Sequence, residues 1–265
     1  MAPLLQTPTN RNPDVGMIFN SCSHFEFALS PQEIESWQPS APRIGDEKIM
    51  QIRPVNDARL PCTLTAFDKH QSVPAKNRQS TFLHFYVSDQ KLLPLFRNPK
   101  RYIYRFSKFG GIIGPDFSVY RSMAPSSRTF HISANRAITR LFQDHGILTI
   151  PNVRWASERD FDVCFLGIPR GSVVATSTHG CCRTLEDRFH LRNGVVQLLR
   201  TVDPSRLLVY GPMPKDVFSG VCDETRIIHY PSEITSAHKG SNSVQRSEAS
   251  DQLVLNLQKE NPARQ

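Results

Sequence analysis

The chain has 265 residues, of which 39% are hydrophobic, with a net charge of +8 and a mean hydropathy of −0.37. No apolar run approaches the roughly 20 residues that a membrane-spanning helix needs, and the N-terminus does not resemble a signal peptide, so we expect a cytoplasmic protein with no membrane partner. The six cysteines are too few and too scattered for a disulfide framework, and none forms a Cys-x-x-Cys pair.

The two ends of the chain differ in composition from its middle. Residues 1–45 are rich in Pro, Ser, Asn and Gln, and we expect a flexible segment in which Ser30 caps one short helix that begins at Pro31. Residues 232–265 are polar and poor in aromatic residues, which predicts a disordered tail. Residues 46–231 remain as one α/β domain.

Short β-rich segments recur through this domain. Their apolar runs are continuous rather than alternating, which is typical of parallel strands buried on both faces. The predicted strands lie within residues 62–68, 82–89, 111–116, 147–152, 172–178, 206–211 and 226–230.

Helical patterns separate several of these strands. Asn98 is positioned to cap a helix that Pro99 opens, and Ser126 or Ser127 to cap a second helix that Gly146 ends. A third helix is expected from about Leu185 to Thr201. The alternation predicts parallel βα units, with a complete or partial (β/α) barrel as the first choice and an open doubly wound sheet as the second.

The positive charge is concentrated in one part of the chain. Between Gln90 and Gln143 there are ten basic residues and one acidic residue, Asp116, a net charge of +9 that leaves −1 for the rest of the protein. If these cations converge on one continuous surface, they favour an anionic partner, of which nucleic acid is the commonest. The basic residues are Lys91, Arg97, Lys100, Arg101, Arg105, Lys108, Arg121, Arg128, Arg136 and Arg140.

Polar residues follow several of the predicted strands. In both candidate architectures, function lies at the carboxyl ends of the strands, so we expect these residues to share one pocket. Paired Asp side chains there could act as acid and base or bind Mg²⁺, and a histidine could serve as a base or a ligand. The candidate catalytic residues are Asp89, Asp116 and His179, and the candidate binding residues are Ser118, Asn152, Trp155 and Tyr210.

Each of these residues also has a purely structural interpretation. Asp89 could cap the helix that follows it, and Asp116 could close the turn after Pro115. Trp155 could simply pack in the core. His179 lies in a Thr-His-Gly loop, where a structural role alone does not explain an imidazole. The sequence contains no nucleophile elbow, phosphate loop or dinucleotide fingerprint that would decide between these interpretations.

Several motifs resemble one known family in order and spacing. Residues 84–89 form a His-Phe-Tyr-Val-Ser-Asp strand, residues 115–118 a Pro-Asp-Phe-Ser block, and residues 150–155 an Ile-Pro-Asn-Val-Arg-Trp strand. A Gly-Ile-Pro-Arg-Gly-Ser-Val-Val-Ala strand at 167–175 and a Tyr-Gly pair at 210–211 follow. From about Pro61 to Lys215, the chain resembles the bacterial, plasmid and phage family called domain of unknown function 4417.

This resemblance implies an association with mobile genetic elements. It also implies that Asp89, Asp116, Asn152 and Trp155 belong to one site. Ser88 and Asp89 stand where the family commonly has two acids, which weakens the case for a two-carboxylate metal site.

Three hypotheses for function follow. The first is a mobile-element protein, with a role in replication or DNA processing, that binds nucleic acid through Arg101, Arg105, Arg136 and Arg140. The second is an enzyme that acts on a small phosphorylated substrate at the strand-end Asp pocket, and the third is a non-catalytic interaction factor. The metal requirement and the oligomeric state are open at this stage.

Overall fold

The computed structural model describes residues 31–37, 40–221 and 226–232. Within these ranges the chain forms nine β-strands and seven α-helices. The strands are β1 (Arg43–Ile44), β2 (Ile49–Met50), β3 (Thr63–Ala66), β4 (Thr81–His84), β5 (Gly111–Ile113), β6 (Thr149–Ile150), β7 (Val174–Ser177), β8 (Leu207–Tyr210) and β9 (Ile227–Tyr230). The helices are α1 (Pro31–Ser36), α2 (Asp89–Arg97), α3 (Ile103–Phe106), α4 (Pro125–Asp144), α5 (Phe161–Cys164), α6 (Leu185–Thr201) and α7 (Lys215–Phe218).

Seven of the strands form two parallel sheets in which the strand order follows the chain order. One sheet has the order β3-β4-β5-β6 and the other the order β7-β8-β9, while β1 and β2 form a small antiparallel pair. An isolated parallel bridge between Asn152 and Ala175 connects β6 to β7. Each of the seven parallel strands lies within or overlaps one of the seven predicted segments, so the α/β class with parallel strands is confirmed.

The described backbone does not close a (β/α) barrel. Among the described residues only the Asn152–Ala175 bridge pairs the two sheets, and β9 reaches the start of β3 through a side chain, the Tyr230 hydroxyl, which donates to the Pro61 carbonyl at 2.7 Å. The complete barrel is therefore not confirmed. The sequential strand order also differs from that of a doubly wound sheet, in which the order reverses at a switch point.

Both faces of β4, β5, β6, β7 and β8 are buried, as their continuous apolar runs predict, whereas β3 and β9 are partly exposed. Every residue of β4, β7 and β8 is buried. Neighbouring strand residues face opposite sides: Ile112 packs towards the helices, whereas Ile113 packs with Ala175 and Leu208 in an interior cluster shared by the two sheets. Strand pairing within each sheet and packing in this shared interior together determine where the strand ends lie relative to one another.

The three predicted helices are present, but not with every predicted boundary. α6 spans Leu185–Thr201 as predicted, and Thr184 and Asp187 form a capping box at its start. α4 begins at Pro125 after Ala124, so neither predicted serine caps it. The Asn98 cap is present, but Pro99–Tyr102 is a 3-10 helix that precedes the short α3 rather than one continuous α-helix.

Trp155 packs directly against α6. Its indole Nε1 donates to the carbonyl of His190 at 3.1 Å, and a Cβ built on Gly194 would lie 2.0 Å from the indole ring. Glycine in a helix interior normally costs about 1 kcal/mol relative to alanine, so Gly194 is explained by this close approach rather than by helix propensity. Because Trp155 directly follows Arg154, this contact also fixes the position of the chain at the carboxyl end of β6.

We expect Gly194→Ala to lower the free energy of unfolding by about 1–3 kcal/mol, because the added methyl group displaces the indole ring. In a Trp155→Ala background, which itself costs about 3–5 kcal/mol, the same change should be neutral or stabilising. Chemical denaturation of the four proteins in this double-mutant cycle measures the coupling. Additive effects of the two substitutions would contradict the close packing.

Candidate functional site

A cavity of about 620 Å³ lies at the carboxyl ends of β4, β5, β6 and β7. Its walls come from four segments that leave these strands, residues 86–88, 116–122, 154–156 and 176–183, together with the first half of α6. Ligand pockets commonly have volumes of about 300–1,000 Å³, and in parallel α/β folds they form at this end of the strands. We call this space the strand-end cavity.

Asp116 is paired with a cation that the sequence analysis did not select. Its carboxylate accepts two hydrogen bonds from the Arg154 guanidinium, one of them from Nε at 2.9 Å, and a third from Asn152 Nδ2 at 2.6 Å. Asp116 is only 4% exposed. Burial alone lowers the pKa of Arg154, but the adjacent carboxylate outweighs it and raises that pKa, so the guanidinium stays charged.

Three further hydrogen bonds extend the network around the Asp116–Arg154 pair. Arg154 Nη1 also donates to the Ser177 carbonyl at 3.2 Å and to the Cys181 sulfur at 2.9 Å. On the other side, the Tyr86 hydroxyl donates to Asn152 Oδ1 at 3.2 Å. These polar contacts link the ends of β4, β5, β6 and β7.

Tyr210 lies next to this network without lining the cavity. Its ring stacks on Tyr86 with centroids 4.9 Å apart and packs on His84 at 4.4 Å. Burial lowers the pKa of His84 to about 4, and its Nε2 has no hydrogen-bond partner among the described residues. The predicted role of Tyr210 on the rim does not match this position, because the ring packs inside the shared interior.

Asp89 does not cap the helix that follows it. It is the first residue of α2, and its Oδ1 accepts from the Ser118 backbone N–H at 3.2 Å and from the Ser118 hydroxyl at 3.0 Å. Burial raises the pKa of Asp89, the two Ser118 hydrogen bonds oppose the shift, and the charge of Asp116 adds to it. Ser118 lines the cavity, so Asp89 supports the cavity wall from behind.

The loop between β7 and α6 contributes exposed polar groups to the cavity. His179 and Arg183 both line it, and within the described residues neither side chain makes a hydrogen bond or an ion pair. Cys181 lies between them. Trp155 also lines the cavity, although its packing on α6 is its main structural role.

Two of the arginines predicted to bind phosphate are structural. Arg136 is 2% exposed, and its guanidinium donates to the carbonyls of Leu166, Asn152 and Cys164 at 3.2, 2.9 and 2.6 Å. Arg140 donates to Asp144 at 2.9 Å and to the Gln51 carbonyl at 2.8 Å. Neither guanidinium is placed to contact a phosphate, which corrects the expectation that Arg136 and Arg140 bind nucleic acid.

Three other basic residues of the cluster are paired as well. Each forms an ion pair with a carboxylate from another part of the chain, which neutralises its charge. The prediction of one continuous electropositive surface beside the strand ends is therefore wrong. The pairs are Arg128 with Asp160 at 2.7 Å, which is buried, Lys91 with Asp68 at 2.6 Å, and Arg121 with Asp187 at 3.1 Å.

A smaller basic surface remains at the opposite ends of the strands. Arg78 lies shortly before β4, and Lys108 shortly before β5, and the Gln79 side chain donates to the Lys108 carbonyl at 3.2 Å. Arg105 and Tyr104 lie beside them on α3 and share with them a hollow of about 320 Å³. Arg78, Tyr104, Arg105 and Lys108 form what we call the amino-end basic surface, to which we add Arg101, an exposed residue that lies four residues before Arg105 in the chain and does not line the hollow.

Sequence reasoning missed Arg154, Arg183 and Tyr104. The signal for Arg154 was present, since Asn152 and Arg154 are two residues apart and extended backbone places such residues on the same side. Tyr104 could have been selected because helical spacing separates it from Tyr102 and Phe106, which face the core. No local pattern identifies Arg183.

No three His, Cys, Asp or Glu side chains of the described residues are arranged as a metal site, and the oxygens of Asp116 are already engaged by Arg154 and Asn152. In the same part of the chain, no helix has both the length and the apolar composition to cross a bilayer.

The raised pKa of Asp89 makes a pH-dependent contribution to stability. The folded protein holds this proton more tightly than the unfolded chain does, so the wild type loses stability as the pH rises from the unfolded-state pKa of about 3.9 through the raised value. Asp89→Asn keeps an acceptor for Ser118 but does not titrate. We therefore expect the stability of Asp89→Asn relative to the wild type to increase across that pH range and then to level off.

Urea denaturation at a series of pH values measures this difference. Asp162→Asn, at an exposed residue of α5, controls for the loss of one negative charge. A difference between Asp89→Asn and the wild type that stays constant, or decreases, as the pH rises would show that Asp89 is not destabilised by burial.

Comparison with known proteins identifies the family. Residues 46–231 match the family described as "Domain of unknown function (DUF4417)". The "Gene 1 protein" of Mycobacterium phage L5 is 32% identical over 168 residues, which cover 63% of this chain and 72% of the phage protein. The "Gene 1 protein" of Mycobacterium phage D29 is 31% identical over 166 residues, which cover 62% of this chain and 60% of that protein. No solved structure matches.

These relatives are phage proteins, which associates the chain with mobile genetic elements, as the sequence motifs imply. The matched region contains the strand-end cavity and the amino-end basic surface. The chain belongs to the domain of unknown function 4417 family.

Proposed function

We propose that this mobile-element protein binds nucleic acid through the amino-end basic surface, in a task such as replication or DNA processing. The observation that carries the proposal is a group of cations with no nearby acid. Residues 69–88 and 90–115 contain no Asp or Glu, and in the described chain none of Arg78, Arg101, Arg105 and Lys108 forms an ion pair. Such a group attracts a phosphate backbone by counterion release.

Tyr104 gives this surface a feature that a purely solvated basic face lacks. Its side chain is 76% exposed, and Lys108 Nζ lies 4.1 Å from its ring centroid. An exposed aromatic ring between cations can stack on an unpaired base while the cations hold the adjacent phosphates. The hollow beside Tyr104 leaves room for such a base.

The arrangement favours single strands over duplexes. Bases of a duplex are stacked on one another and do not present a face to a side chain, whereas the bases of a single strand do. Arg101 and Arg105 keep the phosphate-binding role proposed for them, while Arg136 and Arg140 lose it because their donors are engaged inside the fold. The surface is smaller than the sequence predicted, which implies a short contacted stretch of nucleic acid.

We expect the charge-reversal double variant Arg105→Glu/Lys108→Glu to weaken binding to a labelled single-stranded DNA oligonucleotide at least about tenfold at low salt. The salt slope should fall by about 0.7 for each phosphate that the variant no longer neutralises. The matched control is Arg200→Glu/Lys215→Glu, which reverses two exposed cations on α6 and α7. Fluorescence anisotropy with the full chain measures both.

Tyr104→Ala should weaken single-strand binding by about 1–3 kcal/mol and change duplex binding little, because stacking requires an unpaired base. Phe189→Ala, at an exposed aromatic residue of α6 that lines neither the cavity nor the hollow, is the control. The proposal fails if the wild type binds neither single-stranded nor double-stranded DNA or RNA at low salt. It also fails if the Arg105→Glu/Lys108→Glu variant binds as tightly as its control.

A further inference from the structure

The strand-end cavity lies at the opposite ends of the strands from the amino-end basic surface, so it requires an explanation of its own. Its volume of about 620 Å³ exceeds what a bound ion or a few waters need. Four separate strand ends and a helix contribute to its walls. Such convergence of polar groups at the carboxyl ends of parallel strands is typical of a small-ligand site.

The charges of the cavity are unevenly compensated. Among the described residues that line it, Arg154 is paired with Asp116, and Arg121 is paired with Asp187 and Glu186. Arg183 is the lining cation that has no carboxylate partner within the described chain. Its charge is therefore available to an anionic ligand at the cavity mouth.

Other lining groups reinforce this preference for an anion. The His179 imidazole and the Ser88 and Ser122 hydroxyls line the cavity and, within the described part of the chain, make no side-chain hydrogen bond. Imidazole and hydroxyl groups can each donate to an oxyanion oxygen, and a guanidinium adds a charge-assisted bond. Imidazole, hydroxyl and guanidinium donors thus line one cavity, and the carboxylates that line it are already paired with arginines.

The deeper part of the cavity is different in character. Val119, Trp155 and Leu191 form an apolar wall, and the Asp116–Arg154 pair closes the floor. Arg154 has five N–H groups, and its four hydrogen bonds to described residues use four of them, which leaves one donor for a ligand at the floor. A ligand that fits both parts has a flat, largely apolar body with polar edges and an oxyanion at one end.

We propose that the strand-end cavity binds a phosphate ester of mononucleotide size. Its phosphate lies at the mouth against Arg183 and His179, and its base lies inward along the apolar wall. The Asp116–Arg154 pair is the group at the floor that meets the polar edge of the base. This site does not depend on nucleic-acid binding by the amino-end basic surface, since the two share no residue.

Isothermal titration of the full chain with a deoxynucleoside monophosphate, the matching deoxynucleoside and inorganic phosphate tests the assignment. We expect the monophosphate to bind and both fragments to bind at least about tenfold more weakly, because each retains only one half of the contacts. Arg183→Ala should weaken monophosphate binding about tenfold or more, the effect of losing a charge-assisted hydrogen bond. Arg159→Ala, at an exposed arginine outside the cavity, should bind as the wild type does.

The two proposed sites are distinguished by testing each variant with the ligand of the other site. Monophosphate binding should survive Arg105→Glu/Lys108→Glu, and oligonucleotide binding should survive Arg183→Ala. The assignment is overturned if the monophosphate does not bind, if Arg183→Ala binds it as the wild type does, or if inorganic phosphate binds equally well. Loss of monophosphate binding in the Arg105→Glu/Lys108→Glu variant would also overturn it, because the ligand would then belong to the other surface.

Discussion

The buried ion pair between Asp116 and Arg154 is the interaction on which the strand-end region depends. Asp116 follows β5, Arg154 follows β6, and Arg154 also holds the Ser177 carbonyl at the end of β7. Removing one member of such a pair leaves an uncompensated buried charge and typically costs about 3–5 kcal/mol. The pair also supports the proposal that the cavity binds an anion, because the two carboxylates that line the cavity are matched, Asp116 by Arg154 and Asp187 by Arg121. A hypothesis that makes Asp116 and Asp89 an acid and a base has to account for their partners first.

A cluster of ten basic residues in the sequence does not by itself show which of their side chains reach solvent. Arg128, Arg136 and Arg140 lie on α4, and their side chains reach inward to carboxylates and to backbone carbonyls. The long side chain of arginine lets its guanidinium donate hydrogen bonds to buried carbonyls that no backbone N–H reaches. A basic residue of an amphipathic helix therefore does not always face solvent. Among the described residues, the acid-free group around Tyr104, at the other ends of the strands, keeps cations that form no ion pair.

The sequence by itself determined the local structure. Runs of apolar residues identified all seven parallel strands, and the helical pattern placed the start of α6 at Leu185, because these signals depend on neighbours within a few positions. The start of α4 is also local in origin, because Pro125 takes the first helical position and the helix therefore begins before the predicted serine caps. The residues at strand ends could likewise be named in advance, including Asp116 and Asn152, which lie in direct contact.

Only the tertiary structure decided which charges meet. Arg154 and Asp116 are far apart in sequence, as are Arg128 and Asp160, and their pairing depends on how β5, β6 and α4 pack rather than on any local pattern. The same packing placed Tyr210 in the interior and separated the basic surface from the cavity. Electrostatic pairing requires distances of a few ångströms, and such distances between remote residues are set by the assembled fold.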